Sequence, residues 1–305
     1  MRAPESATTP DWIAVDWGTS QLRAYAMVGG EVHGERASDQ GMGRLTPQGF
    51  EPALLDLIAD WLGAAPMQIV VCGMAGARQG WIEAPYRQVP CAPVRSGAFV
   101  AAPASDPRLR VQILPGLSQA APADVMRGEE TQIAGLLALD PGFDGVVCLP
   151  GTHSKWARVS AGEVVSFQTF MTGELFALLS TQSVLRHGMA TELAGDPVDA
   201  DAFAGGLSQA LSRPERLAAQ LFALRAEGLL QGLAPSAARA RLSGLLIGAE
   251  LAAARPYWLG QRVALIGAPA LAQRYAAALA LQGLDAQSLD GRACTLAGLA
   301  AARAS

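Results

Sequence analysis

The feature that most constrains this chain is a pair of short turns, DWGTS at residues 16–20 and PGTHSK at residues 150–155, one in each half of 305 residues. Each follows a short apolar run that reads as a buried β-strand, WIAV before the first and DGVVCL before the second. Glycine beside hydroxyl residues lets the backbone approach an anion closely and present N–H and O–H donors without a Cβ in the way. Each turn also opens a similar β-hairpin pattern. The pair therefore implies two related domains that grip one nucleotide by its phosphates.

The basic residues point to the same place. Of 23 Lys and Arg residues only one is Lys, and it is Lys155, inside the second turn. An ammonium differs from a guanidinium chiefly as a compact point charge, which suits phosphate.

Composition narrows the partners. Half of the residues are hydrophobic and the formal net charge is -4, so the chain is expected to be globular, without the electrostatic footprint needed for nucleic acid or an anionic membrane. MRAPESATTPDW carries no apolar leader core, and the later run LSGLLIGAELAAA is short and broken by Glu250. A cytoplasmic location is expected, with homo-oligomerisation left open. Cys72, Cys91, Cys148 and Cys294 form no C-x-x-C pair and suit core packing. His33, His153 and His187 lack metal-ligand spacing.

The hydrophobic periodicity predicts an α/β chain. Strands are expected at 12–17, 22–28 and 31–38, the last two joined by Gly29-Gly30, then a helix over PQGFEPALLDLIADWLG capped by Thr46, and a strand at QIVVCG. A Gly/Pro-rich loop, a short helix and a strand at VQILPG follow. The second half repeats the order loosely: strand 145–149, hairpin 155–170, a helix from Thr172, a helical block at 199–255, strand 262–267, helix 269–282, a short strand at 285–289 and a final Ala-rich helix. Asp140-Pro141-Gly142 is the expected boundary, which gives domains at 1–140 and 141–305, the second carrying the helical insertion.

Asp16 ends an apolar strand just before Gly18. A carboxylate there meets phosphates only across a divalent cation, and Mg²⁺ held partly through water fits that position; a cap on the strand-turn, with Thr19 and Ser20 bonding locally, is the competing reading. Thr19, Ser20, Thr152, His153 and Ser154 stand as candidate phosphate contacts, with Gly18 and Gly151 giving backbone access. Neither a Walker pattern nor G-x-G-x-x-G after a strand occurs. A general base for phosphoryl transfer is sought in DVMRGEETQIAGLLAL, 124–139, where Glu129 and Glu130 fall in a first helical turn and Asp124 lies in the preceding loop. Helix capping accounts equally well for either Glu alone. The loop GMAGARQGWIEAPY, 73–86, has the composition of a small polar-ligand pocket: Arg78 for a carboxylate, Gln79 beside it, and Trp81 or Tyr86 for a sugar face. A loop pinned by Trp81 in the core is the competing reading. Arg23 and Arg127 are further candidates for an anionic substrate.

VDWGTSQLRA, GMAGARQGW, DVMRGEETQ, LPGTHSKW and FMTGELF, spread over both halves, together resemble the 2-dehydro-3-deoxygalactonokinase family, within the sugar-kinase, actin and heat-shock ATPase superfamily. The resemblance implies two RNase H-like (actin-like ATPase) domains with a ligand cleft between them, ATP and Mg²⁺ as cofactors, and phosphorylation of 2-dehydro-3-deoxy-D-galactonate at its terminal hydroxyl in galactonate catabolism. Domain closure would then exclude water. It also implies Asp16 as the Mg²⁺-linked acid, Gly18 and Thr19 as the first phosphate turn, Gly151 and Thr152 as the second, and Glu129 as the base. Two departures stand out. Leu149 and Pro150 occupy the place of an acid usual before the second turn, leaving Lys155 as a replacement charge, and the paired glycines of the adenosine turn are here Gly267 and Ala268. Rival functions are another sugar or sugar-acid kinase, an exopolyphosphatase-type phosphohydrolase on the same fold, and a non-catalytic nucleotide-gated regulator.

Overall fold

A computed structural model describes residues 9–190 and 199–304. Residues 1–8, read above for a leader, lie outside the described residues. The elements of the first half are β1 (Trp12–Trp17), β2 (Leu22–Val28), β3 (Glu31–Ser38), α1 (Phe50–Ile58), β4 (Met67–Gly73), the short strands β5 (Arg87–Gln88) and β6 (Val100–Ala101), β7 (Leu109–Ile113), β8 (Leu117–Gln119), β9 (Asp124–Met126) and α2 (Glu129–Leu139). Those of the second half are β10 (Gly145–Leu149), β11 (Ser154–Ser160), β12 (Glu163–Phe170), α3 (Thr172–Thr181), α4 (Ala200–Ser212), α5 (Leu217–Leu230), α6 (Pro235–Ala253), α7 (Arg255–Trp258), β13 (Val263–Gly267), α8 (Pro269–Ala280), β14 (Gln287–Asp290) and α9 (Gly291–Arg303).

β1 is apolar at every position but Asp16 because it is covered on both faces. Ile13, Val15 and Trp17 join one core with Phe50, Leu54 and Ile58 of α1, while Trp12 and Ala14 join a second core with Leu299 and Ala302 of α9. β2 runs antiparallel to β1 and β3 antiparallel to β2; β4 is parallel to β1 and β7 parallel to β4. The sheet order is β3-β2-β1-β4-β7-β6. Gly29 and Gly30, both at positive φ, make the β2–β3 turn that a right-twisted hairpin requires.

The second half builds its own sheet in the same sense, β12-β11-β10-β13-β14, with β11 antiparallel and β13 parallel to β10. α6 packs on α4 through glycines: a Cβ on Gly244 would lie 2.1 Å from the Phe203 carbonyl oxygen.

The chain divides into two compact units. The first holds the described chain through Phe143, Ser160–Ser166 and everything from Gly291 on; the second holds Asp144–Val159 and Phe167–Asp290. A single cut after residue 140 thus misplaces the final helix. α9 groups with the first unit because its glycine-bearing face fits α2, where a Cβ on Gly135 would meet the Cys294 carbonyl oxygen at 1.7 Å and one on Gly298 the Thr131 carbonyl oxygen at 1.9 Å.

Three local expectations are corrected. The short helix before β7 is absent; Pro85, Pro90 and Pro93 break the segment, which instead supplies β5 to a small sheet, β5-β8-β9. The helix over 47–63 contracts to α1 between 3₁₀ turns, and Thr46 makes no side-chain capping bond. Asp124 sits on β9 rather than in a loop. Cys72, Cys148 and Cys294 are buried, Cys91 is half-buried, and all four are free thiols. No described helix is long and apolar enough to cross a membrane.

Candidate active site

Strand register places the first acid. Asp16 lies opposite Arg23 on β2 and beside Cys72 on β4. Its carboxylate is 3.5 Å from Arg23 Nη1 and is 30% exposed. Burial pushes this carboxyl above its usual range, Arg23 pulls it back, and the charge of Glu129 raises it further. The following turn is held from outside: Gly18 N–H donates to the Gln21 carbonyl at 2.8 Å, and Met42 and Gly43 N–H groups donate to the Gly18 and Thr19 carbonyls at 3.0 and 2.9 Å. Gly41 is required by close approach, since a Cβ there would lie 2.3 Å from the Ser20 carbonyl carbon. Thr19 and Ser20 remain exposed.

Two glycines bring the start of α2 to the end of this sheet. Gly73 ends β4 at φ +87°, where a Cβ would lie 2.6 Å from the Trp17 carbonyl oxygen; Gly128, at φ +104°, packs against Gly73 itself. Only glycine holds both conformations without strain. The two acids that follow then diverge. Glu129 is half-buried, its Oε2 accepting the Arg127 backbone N–H at 3.0 Å. Glu130 is wholly buried; Oε2 accepts the Gly128 N–H at 2.7 Å and Oε1 accepts the Thr131 hydroxyl at 2.9 Å. Burial first, and then the charge of Glu129, push Glu130 up to about 7. With both oxygens occupied inside the protein, Glu130 is no base for an incoming hydroxyl, and Asp124 turns one carboxylate oxygen to the N–H of Val125. Of the three acids, Glu129 is the one whose charge acts on Asp16.

The loop after β4 is tightly wound, with Trp81 N–H donating to the Ala75 carbonyl and Ala84 N–H to that of Gly76. Trp81 is 7% exposed, its ring stacked on Phe50 at 6.1 Å and edge-on to Trp17 at 6.0 Å, with Nε1 donating to the Pro103 carbonyl. It is a core pin and presents no face to a sugar. Arg78 and Gln79 stand exposed at the loop's tip. Arg127 also departs from the role expected of it. It is buried over the Tyr86 ring at 4.3 Å, donates from Nη2 to the Ala84 carbonyl at 2.8 Å, and leaves Nε and Nη1 without partners among the described residues. Nη1 lies 2.8 Å from where a Cβ of Gly76 would sit, so the guanidinium is walled in by the loop that it clamps.

The second turn lies between β10 and β11, with Leu149 opposite Lys155. The start of α3 packs on it: Glu174 N–H donates to the Thr152 carbonyl at 2.9 Å, and a Cβ on Gly173 would meet the Gly151 carbonyl oxygen at 2.2 Å. The positive end of that helix thus adjoins Gly151 and Thr152. Thr152 and His153 are exposed, and His153 Nε2 lies 2.6 Å from Glu174 Oε2. Ser154 is corrected as a phosphate donor, because its buried hydroxyl lies 2.9 Å from that of Tyr275. Lys155 is 6% exposed, with Nζ donating to the His153 carbonyl at 3.1 Å. Gly267, at the end of β13, lies by Pro150, its would-be Cβ 3.1 Å from the Pro150 carbonyl oxygen; Ala268 is exposed before α8. Gly128, Gly173, Glu174 and Tyr275 were not singled out from sequence. The GE repeated in GEETQ and TGELF was the available signal for the first three.

The family model described as 2-keto-3-deoxy-galactonokinase matches residues 16–302. "Probable 2-dehydro-3-deoxygalactonokinase DgoK1" of Rhizobium meliloti (strain 1021) is 42% identical over 304 residues, covering 95% of this chain and 96% of that protein. The 2-dehydro-3-deoxygalactonokinase of Escherichia coli (strain K12) is 35% identical over 294 residues, covering 95% and 97%. A crystal structure from Sinorhizobium meliloti, of a protein assigned to the same kinase, superposes with a TM-score of 0.86 at 41% identity over 95% of each chain. The activator of the 2-hydroxyisocaproyl-CoA dehydratase from Clostridium difficile, with bound ADPNP, shares the fold at a TM-score of 0.52 and 12% identity, covering 95% of this chain and 93% of that one. By the family model and both curated relatives, the chain belongs to the 2-keto-3-deoxy-galactonokinase family.

Proposed function

We propose that this chain transfers the γ-phosphoryl group of ATP to the terminal hydroxyl of 2-dehydro-3-deoxy-D-galactonate, giving ADP and 2-dehydro-3-deoxy-6-phospho-D-galactonate. Family membership makes it a sugar-acid kinase; the assignment of roles below is our reading. The observation that carries it is the placing of Asp16 and Glu129 in one unit at the end of a sheet, Asp16 near the end of β1 and Glu129 opening the helix that Gly73 and Gly128 bring there, with the charge of Glu129 raising the Asp16 carboxyl.

In this reading Glu129, half-buried at the start of α2, accepts the proton of the terminal hydroxyl as its oxygen bonds to the γ-phosphorus and the bond to the β–γ bridging oxygen breaks. Asp16 would hold Mg²⁺ partly through water; its hard oxygen donors suit that ion, which when bound neutralises charge on the phosphate oxygens. The backbone of Gly18 with Thr19 and Ser20, and that of Gly151 with Thr152, would take phosphate oxygens. Lys155 adds positive charge at the second turn, and Gly267 with Ala268 would border the adenosine. Arg78, the exposed cation at the loop's tip, is assigned the substrate carboxylate, with Gln79 and Arg23 supporting it. Catalysis then rests on positioning and charge neutralisation, with no covalent enzyme intermediate. A cytoplasmic location goes with this reaction.

A coupled ADP-release assay over a panel of 2-keto-3-deoxy acids tests this. ADP release strictly dependent on the acid, and strongest with the galactonate derivative, is expected. ADP or phosphate release at the same rate without any acid would point to a phosphohydrolase, and none under any condition to a regulator.

A further inference from the structure

One carboxylate inside the second unit ties together the strand that follows the second turn and the helix start that packs on that turn. Glu250, on α6, is 3% exposed. It accepts hydrogen bonds from Trp156 Nε1 at 2.8 Å and from the Tyr275 hydroxyl at 2.7 Å. Thr172 also bonds to it, and Ser154, whose Oγ lies 2.9 Å from the Tyr275 oxygen, adds a further hydroxyl to the cluster. The donors have a pattern. Ser154 and Trp156 are the first and third residues of β11, directly after the turn, and Thr172 opens α3, whose next two residues pack on Gly151 and Thr152.

An isolated carboxylate is costly to bury, and an apolar side chain of similar volume fills such a space at least as well. Burial pushes the Glu250 carboxyl up, while the donors from Thr172, Trp156, Tyr275 and Ser154 hold it down. What the carboxylate adds over an apolar group is direction: it accepts from a strand, a helix start and a second helix at one point, with its lone pairs occupied. We propose that Glu250 is a positioning residue for the nucleotide's phosphates, fixing the shape of the Gly151–His153 turn by fastening β11 and α3 to one buried point. The proposal rests on the assignment of that turn to phosphate made above.

The test uses the full chain and three variants, Glu250→Gln, Tyr275→Phe and Thr152→Val. Glu250→Gln and Tyr275→Phe are expected to raise KM for ATP about tenfold, the scale of one lost hydrogen bond to a charged group. KM for the sugar acid should stay within about twofold, because no residue assigned to that substrate touches the cluster. Hydrogen exchange should rise at residues 151–155 and 171–175 and stay unchanged elsewhere in the second unit. Should Glu250→Gln fail to fold, Tyr275→Phe, which keeps ring and volume, decides alone. Normal constants and normal exchange in a folded variant overturn the proposal. So does a uniform rise in exchange with equal rises in both constants, which marks a core residue only. If Thr152→Val raises KM for ATP while the other two variants match wild type, the proposal alone falls; if Thr152→Val leaves it unchanged, the assignment of the turn to phosphate falls, and the proposal with it.

Discussion

Gly128 packs so closely on Gly73 that a Cβ on the former would lie 3.4 Å from the Cα of the latter. That approach delivers the start of α2, and Glu129 with it, to the strand ends where Asp16 stands. The chemistry assigned to these acids therefore depends on two residues without side chains.

Asp16→Asn removes the charge while keeping the shape of the group. We expect kcat to fall by about 10² to 10³, the loss typical of a group that supports transition-state electrostatics, with little change in stability. Steady-state kinetics over a Mg²⁺ titration check this; near-normal kcat at saturating Mg²⁺ would exclude Asp16 from metal binding.

Glu129 and Glu130 should separate cleanly. Glu129→Gln is expected to lower kcat by roughly 10² to 10⁴ with ATP binding almost unmoved. Glu130→Gln should instead alter stability against pH. Burial raises the Glu130 carboxyl from 4.5 to about 7, so between those values the folded state holds a proton that the unfolded chain has released. Wild-type stability then falls as pH rises through this window, at up to about 1.4 kcal/mol per pH unit, and levels off above 7. Urea denaturation from pH 4 to 8 should show a flatter profile for Glu130→Gln; parallel profiles would contradict the assignment.

Arg78→Ala should raise KM for the sugar acid well above any change for ATP, because a bidentate carboxylate contact is lost while the phosphate turns are untouched. Equal rises in both constants, or a change in Tm alone, would make Arg78 structural.

Lys155→Arg should impair turnover. The ammonium is almost fully enclosed and bonded to the His153 carbonyl, a place where a planar guanidinium of greater volume does not fit. Wild-type kcat and wild-type KM for ATP in this variant would show that the lysine has no part in phosphate binding.

The α2–α9 crossing gives a stability prediction free of catalysis. Alanine favours a helix over glycine by up to about 1 kcal/mol, but a Cβ on Gly298 would meet the Thr131 carbonyl oxygen at 1.9 Å. The clash should win, destabilising Gly298→Ala by about 1–3 kcal/mol. Gly205, exposed on α4 with nothing within 4 Å of its would-be Cβ, supplies the control: Gly205→Ala should be neutral or stabilising by up to about 1 kcal/mol. Equal midpoints for the two variants in urea would contradict this packing.

What was legible in the sequence was local. The apolar strand before Asp16, the Gly29-Gly30 turn and the two glycine–hydroxyl turns declare themselves over a few residues, and so does the Gly-Glu-Glu helix start. What was not legible depends on partners far along the chain. Trp81 suits a sugar platform by residue type, but Phe50, Trp17 and the Pro103 carbonyl claim it for the core. Arg127 suits an anion, yet the loop that it clamps encloses it. Glu250 reads only as a break in an apolar run until Trp156 and Tyr275, 94 residues before it and 25 after it, are seen to converge on it. The final Ala-rich helix carries too few large side chains to mark its buried face, so its grouping with the first unit could not be read from periodicity.

That grouping has a consequence for biosynthesis. The sheet of the first unit is complete by residue 113 and α2 by residue 139, but the helix that packs on α2 and carries Leu299 and Ala302 into the core beside Trp12 is made only after the second unit, Asp144–Val159 and Phe167–Asp290. Vectorial folding, in which an N-terminal domain closes its core while the rest is still being made, is not open to this unit. The nascent first unit must wait, one apolar flank uncovered, through the synthesis of the entire second one.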